Sequence, residues 1–281
     1  MLWRSSIHAV ALAAALLMTI RGAQAFDDAT YPDWSGQWHG MGGGNYDPSK
    51  PGRLGQQAPL KPEYQKILEA SLADIAAGGQ GNDPGYRCIS HGMPRVMIAN
   101  VPLHFVIMPQ TTYVLLERLS QVRRIYSDGR AWPAQLRSFP LGYSIGKWLD
   151  EDGDGRYDTL EVETRGMKNP RSYDASGMPF HEDAATIVKE RISLDKADRD
   201  TLLDEITTID NALTRPWTVI KDYRRTPTNQ PIWWYETVCS ENNVHVSIGK
   251  ENYFLSGDGL LMPAKKDQPP PDLRYFKQYN R

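Results

Sequence analysis

The sequence predicts a mainly β protein, an antiparallel meander that closes into a barrel, with an N-terminal arm and one helix packed outside. Two observations support this prediction. From about Phe105 onward, short segments with strand-like alternation follow one another, joined by polar links such as Asp128-Gly129. Helical periodicity is nearly absent after residue 80. Successive short strands with short links favour a closed barrel or a sandwich.

The arm covers residues 26–60, which are rich in Gly, Pro and Asp. It contains Trp34-Ser35-Gly36-Gln37-Trp38, a G-x-W pattern that suits a first strand. The same pattern occurs in lipocalin-like barrels, where the Trp fills the closed end, although any short aromatic strand can show it. A lipocalin-like barrel is therefore the specific form of the fold prediction.

One helix is predicted over residues 61–77. Pro62 suits the first helical turn, and Gly78-Gly79 supplies a stop. Its apolar residues fall on one stripe, so we expect this helix to lie on an apolar surface.

The meander is predicted to run through residues 86–262, and the tail from 263 to 281 is expected to be extended because of Pro269-Pro270-Pro271. The predicted strands are 104–108, 112–118, 122–127, 142–149, 159–165, 185–193, 201–209, 216–224 and 232–239.

The N-terminus predicts export to the periplasm or medium. Arg4, an apolar run from Ala9 to Ile20 and Ala23-Gln24-Ala25 are typical of a signal peptide cleaved after Ala25. Residues 26–281 then form a single β-rich domain without a membrane span, in which residues 26–85 are the arm and helix. Removing residues 1–25 changes the formal charge from −2 to −4, which argues against nucleic acid as a partner. The oligomeric state stays open.

Cys88 and Cys239 are the two cysteines of the chain. In an exported protein a disulfide between them is the expected state, worth on the order of 5 kcal/mol in the chain-entropy model. Two buried thiols or a catalytic thiol are the alternatives.

Residues 150–161 have the spacing of a calcium-binding EF-hand loop. Such a loop places oxygen ligands at positions 1, 3, 5, 9 and 12, a main-chain carbonyl at position 7 and a glycine, here Gly155, at position 6. The flanks alternate like strands, so we expect a Ca²⁺ site on a β-hairpin; a plain acidic hairpin tip is the alternative. The predicted ligands are Asp150, Asp152, Asp154, Arg156 (through its carbonyl), Asp158 and Glu161.

Seven segments, taken in order, resemble a family of exported proteobacterial proteins to which no activity is assigned. They are CISHGMPR (88–95), RRIYSDGRAWP (123–133), GYSIGKW (142–148), LEVETRG (160–166), VKERI (188–192), LTRPWTV (213–219) and ETVCSENN (236–243). The resemblance covers nearly all of the chain after residue 25. It implies a single β-rich exported domain, with the aspartate-rich loop as a subgroup feature, and it implies no reaction.

Glu190 is the most suggestive acidic residue. Strand alternation places it on one face with Val188 and Ile192, where an unpaired carboxylate would be unfavourable. It is either a general acid or base facing a cavity, or the partner of an arginine. The arginines considered for such a structural pair are Arg118, Arg124 and Arg130.

The sequence supports two functional hypotheses of different classes. Aromatic residues throughout the strands, together with the lack of nucleophile, zinc-hydrolase and phosphate-loop motifs, favour a barrel that binds a small apolar or aromatic ligand. The alternative is an acid–base enzyme, a hydrolase, lyase or isomerase. Its catalytic candidates are Glu190, His181, His91 and, as an anion-binding group, Arg130. A structural envelope protein is a third possibility.

Overall fold

The structure is a computed structural model of the chain. It describes residues 28–41, 58–77, 79–117, 120–183, 185–234, 245–248, 251–255, 261–265 and 267–269. The predicted signal peptide, Cys239 and most of the predicted tail lie outside the described residues.

A closed barrel of nine strands forms the centre of the molecule. Its strands are β1 (Gln37–Gly40), β2 (Pro102–Met108), β3 (Thr111–Leu116), β4 (Gln121–Tyr126), β5 (Tyr143–Leu149), β6 (Thr159–Arg165), β7 (Ile187–Leu194), β8 (Thr201–Ile209) and β9 (Trp217–Arg225). Three further strands, β10 (His245–Ile248), β11 (Glu251–Leu255) and β12 (Leu261–Pro263), form a separate small sheet. The predicted mainly β barrel is confirmed.

Two pairings determine how the barrel closes. β1 lies between β2 and β9 and is antiparallel to both. β4 and β5 are parallel, which corrects the expectation of a purely antiparallel meander. Parallel neighbours need a longer connection than a hairpin, and the irregular segment 127–142 provides it. The predicted strand 232–239 is not seen at 232–234, which are irregular; the rest of it is outside the described residues.

Different segments cover the two ends of the barrel. At the arm end, Trp34 packs against Phe105 and Trp148 with ring centroids 4.9 Å apart in both cases. The hairpin that carries the aspartate-rich loop joins this end, because the Tyr157 amide donates to the Thr30 carbonyl at 2.8 Å. At the opposite, helix end, Tyr173 packs on Trp217 at 4.5 Å. Both ends are closed by side chains.

The helices lie outside the barrel, at the helix end. The predicted helix 61–77 is confirmed as α1 (Pro62–Ala76), and a short second helix, α2 (Arg95–Ile98), follows it. Leu68 of α1 is fully buried, and the Ser71 hydroxyl donates to the Ser176 carbonyl at 2.8 Å. The helix therefore packs on the loop after β6. Among the described residues, no helix has the length and apolarity of a bilayer span.

Side chains fill the inside of the barrel. Period-two alternation directs every second residue inward, and the resulting core is largely apolar. Trp38 of β1 is completely buried, its indole N–H donates to the Trp34 carbonyl at 3.0 Å, and the Arg225 guanidinium lies 4.3 Å from the ring centroid. This placement agrees with the core role predicted from the G-x-W pattern.

Candidate functional site

Glu190 points into the middle of this filled interior. Its side chain has no exposed area, and Arg123 of β4, 1% exposed, donates to both carboxylate oxygens, from Nη1 at 2.7 Å and from Nη2. Arg123 Nη2 also donates to the Thr164 hydroxyl at 3.0 Å. The Glu190 carboxylate is thus held by a bidentate ion pair and has no exposed area. Glu190 also borders a cavity of about 420 Å³, which is lined mainly by outward-facing residues of β5–β8.

The arginine that pairs with Glu190 is not one of those considered from the sequence. Arg124 is exposed on the opposite face of β4, Arg130 bonds Asp128 at the surface, and Arg118 lies outside the described residues. Arg123 shares the inward face of β4 with Ile125, which is fully buried. The signal for this was the same alternation that placed Glu190 inward.

Two further ionisable groups of the interior were not recognised from the sequence. Asp204 of β8 is fully buried, and burial, followed by the negative charge of Glu190, raises its pKa well above the usual range. Lys221 of β9 is also fully buried, and burial lowers its pKa to about 8. The Lys221 ammonium donates to the Met41 carbonyl and to the Asn100 side-chain oxygen.

The other catalytic candidates do not meet Glu190. His181 lies outside the barrel, with Nδ1 3.0 Å from a carboxylate oxygen of Asp183. His91 is buried in the segment before α2. Arg130 is exposed and donates to Asp128, with Nη2 2.6 Å from Oδ2. Arg130 holds the pKa of Asp128 at about 2. His181 and Arg130 lie outside the barrel that encloses the Glu190 carboxylate, so the structure assembles no acid–base pair between Glu190 and these two side chains.

A cavity of about 410 Å³, here called the end pocket, opens at the arm end of the barrel. Tyr31, Trp34, Phe105 and Ile107 supply aromatic and apolar walls, with Pro32 beside them. The polar lining comes from Asp33, Ser35 and Arg156. The indole N–H of Trp34 is buried and has no hydrogen-bond partner among the described residues. The pocket therefore combines aromatic surface with a few polar side chains.

The aspartate-rich loop brings together three of its predicted ligands. Asp150, Asp152 and Asp158 have carboxylate oxygens within 4.8 Å of one another. The Asp150 carboxylate also accepts the amides of Gly153 at 2.8 Å and Gly155 at 2.9 Å, which folds the loop around it. The remaining predicted carboxylate ligands lie outside this group.

Those remaining carboxylates have other partners. Asp154 accepts the Arg156 amide at 2.8 Å, and Glu161 lies on the outer face of β6, where Arg191 donates to it. A cation at the triad would offset the repulsion among three close carboxylates, which is the chemistry that favours Ca²⁺ or another hard cation.

The predicted disulfide cannot be placed, since Cys239 is outside the described residues. Cys88 is half-buried and ends a short 3₁₀ helix with φ 55°. The Cys88–Cys239 bond therefore stays a prediction.

Comparison of the sequence with protein-family models and with curated proteins gives no match.

Proposed function

We propose that the protein is an exported barrel that binds a small aromatic molecule in the end pocket. The observation that carries this proposal is the pairing of a filled barrel interior with an aromatic-lined cavity at the arm end. Ligand sites are typically concave and mostly apolar, with a few polar groups that fix orientation. The described inward side chains are buried and form a packed core, whereas the end pocket has this composition.

The polar groups of the end pocket suggest how a ligand would be oriented. The Arg156 guanidinium and the Ser35 hydroxyl in the lining are suited to a hydroxyl or carbonyl oxygen of the ligand. Stacking against Tyr31, Trp34 and Phe105 would bind the ring. The acid–base alternative has less support, since Glu190 is held by Arg123 away from every other candidate.

Blocking the end pocket tests the proposal. Ile107→Phe adds volume at a half-buried residue of the pocket wall, so we expect the affinity for 2-naphthol to fall by about tenfold or more. The matched control is Val106→Phe on the opposite, exposed face of β2, which should leave the affinity within about twofold. Binding would be followed by tryptophan fluorescence and calorimetry. Equal affinities of both variants and the wild type would overturn the proposal.

We further propose that Ca²⁺ occupies the loop and stabilises the hairpin. With an affinity of ~10⁻⁴–10⁻³ M, 10 mM Ca²⁺ should stabilise the fold by about 1.4–2.7 kcal/mol. Asp150→Asn should remove most of this gain. Asp195→Asn is the matched control, since Asp195 also accepts backbone amides in an acidic turn. Thermal unfolding with and without Ca²⁺ measures the effect. A melting temperature that is the same with and without Ca²⁺ would refute the site.

Export and the disulfide belong to the same proposal. Exported protein should begin at Phe26, as read by N-terminal sequencing or intact mass, and its mass should rise by two hydrogens after reduction. The resemblance to exported proteobacterial proteins supports this part of the proposal. Both export and the disulfide stay predictions.

A further inference from the structure

A second cavity, here called the flank cavity, lies between α1 and the loop after β6. Its volume is about 820 Å³, twice that of the end pocket. Tyr64 and Ile67 contribute from the helix, and Arg171, Phe180 and His181 contribute from the loop. The proposed function does not use this cavity.

Arg171 is a buried cation in the wall of the flank cavity, and its hydrogen bonding is incomplete. The side chain is 1% exposed, Nε donates to Asn169 at 3.1 Å, and Nη2 donates to Thr186 at 2.6 Å. Nη1 is buried with no hydrogen-bond partner among the described residues. A buried guanidinium nitrogen without an acceptor is unfavourable, and a carboxylate that binds in the cavity would supply the acceptor.

The protein itself neutralises Arg171 only in part. The nearest carboxylate, Asp210, is 4.0 Å from Nη2, and its oxygens already accept the His181 amide at 2.9 Å and the Thr186 hydroxyl at 2.5 Å. Burial lowers the pKa of Arg171 despite the opposing effects of Asp210 and Asp183. The guanidinium therefore stays short of both a hydrogen bond and a close counter-charge.

The rim of the flank cavity has the opposite charge. Glu63 and Glu182 line the cavity as exposed side chains, and no ion pair engages either of them within the described part of the chain. Burial, followed by Glu63 and other nearby carboxylates, raises the pKa of Tyr64. A simple dianion would be repelled by this rim, whereas an ammonium group would be attracted to it.

The wall between these charges is aromatic. The Phe180 ring lies 4.7 Å from the Arg171 guanidinium, and the Tyr64 ring lies 6.0 Å from the imidazole of His181. A ligand that reaches from the buried cation to the acidic rim would therefore pass along aromatic surface.

We propose that the flank cavity is a second binding site, which takes a small zwitterion with an apolar body, such as a free aromatic amino acid. The ligand carboxylate is bound by Arg171 Nη1, the apolar body lies against Phe180 and Tyr64, and the ammonium group faces Glu63 and Glu182. Recognition thus needs both charges of the ligand.

Truncated ligands test this directly on the protein as exported. L-Phenylalanine is the probe; 3-phenylpropionate lacks its ammonium group and 2-phenylethylamine lacks its carboxylate. Calorimetric titration should show each truncated ligand binding at least about tenfold more weakly than phenylalanine. Absence of phenylalanine binding at millimolar concentration, or equal binding of 3-phenylpropionate, would overturn the proposal.

Substitutions test which residues bind the carboxylate and which bind the ammonium group of the ligand. Arg171→Lys should weaken the binding of phenylalanine and 3-phenylpropionate by about tenfold and leave that of 2-phenylethylamine unchanged, because only the first two ligands have a carboxylate for the guanidinium to bind. Glu182→Gln and Glu63→Gln should weaken the binding of phenylalanine severalfold without weakening that of 3-phenylpropionate, which has no ammonium group. Glu69→Gln, an exposed glutamate of α1 that does not line the cavity, is the matched control.

Two controls keep the outcome interpretable. If Arg171→Lys does not fold, as judged by circular dichroism, the glutamate variants and the truncated ligands still decide. Ile107→Phe closes the end pocket and should leave phenylalanine affinity unchanged. Loss of phenylalanine binding in that variant would place the ligand in the end pocket and overturn the second site, while leaving the proposed function standing.

Discussion

Arg123→Met is expected to destabilise the protein by about 3–5 kcal/mol, because it leaves the Glu190 carboxylate buried without a partner. The carboxylate cannot reach water, since both side chains of the pair are almost completely buried. It would also lie near Asp204, whose pKa is already raised well above the usual range by burial and by the charge of Glu190. Urea unfolding followed by circular dichroism measures the loss.

Two controls separate the ion pair from the loss of side-chain packing. Arg123→Met combined with Glu190→Leu removes both charges and should recover most of the lost stability, since apolar replacements of buried pairs are often neutral. Arg130→Met removes an arginine–carboxylate pair of the same kind at the surface and should leave the unfolding midpoint nearly unchanged. An Arg123→Met variant as stable as the wild type would show that Glu190 finds another partner.

Lys221 should make stability depend on pH in the alkaline range. Its pKa is about 8 in the folded protein and 10.5 by its ordinary value. Between these values the unfolded chain binds one more proton than the folded protein, so stability rises with pH by about 1.4 kcal/mol per unit. The gain is about 3 kcal/mol, complete above the unfolded pKa and lost as the pH falls through the folded one.

The Lys221→Met variant isolates this effect from other groups that titrate at high pH. The difference in unfolding free energy between wild type and Lys221→Met should move by about 3 kcal/mol in favour of the wild type from pH 7.5 to 10.5. A constant difference across this range would mean that the buried ammonium keeps its ordinary pKa, with Met41 and Asn100 sufficient to solvate it.

The helices and strands could be predicted well because the spacing of apolar residues along each of them is a property of the local sequence. Helix α1 and the strands from β2 to β9 lie within a few residues of the predicted ranges. The parallel contact of β4 with β5 was not predicted, since nothing in segment 127–142 specifies the side from which the chain returns. Barrel closure by β1 likewise depends on contacts distant in sequence.

The same limit explains the errors at the candidate site. Glu190 was correctly placed on the buried face of its strand, but Arg123 was not among the arginines considered for it. Arg123 is buried, whereas its apolar neighbour Val122 is exposed. Asp204 has the same signal as Glu190, an acid between the buried Leu202 and Ile206. The end pocket and flank cavity are built from residues far apart in the sequence, so neither could be predicted from spacing.

The parallel contact has a consequence for how the barrel opens. β4 and β5 share two residue pairs, Ile125 with Ser144 and Tyr126 with Ile145, whereas β7 and β8 share eight. Arg123 crosses this junction from β4 to reach Thr164 on β6 and Glu190 on β7. Since local opening begins where backbone pairing is sparse, amides along β4 and β5 should exchange with deuterium before those of β7 and β8. The Arg123–Glu190 ion pair would oppose that opening and so make it rarer.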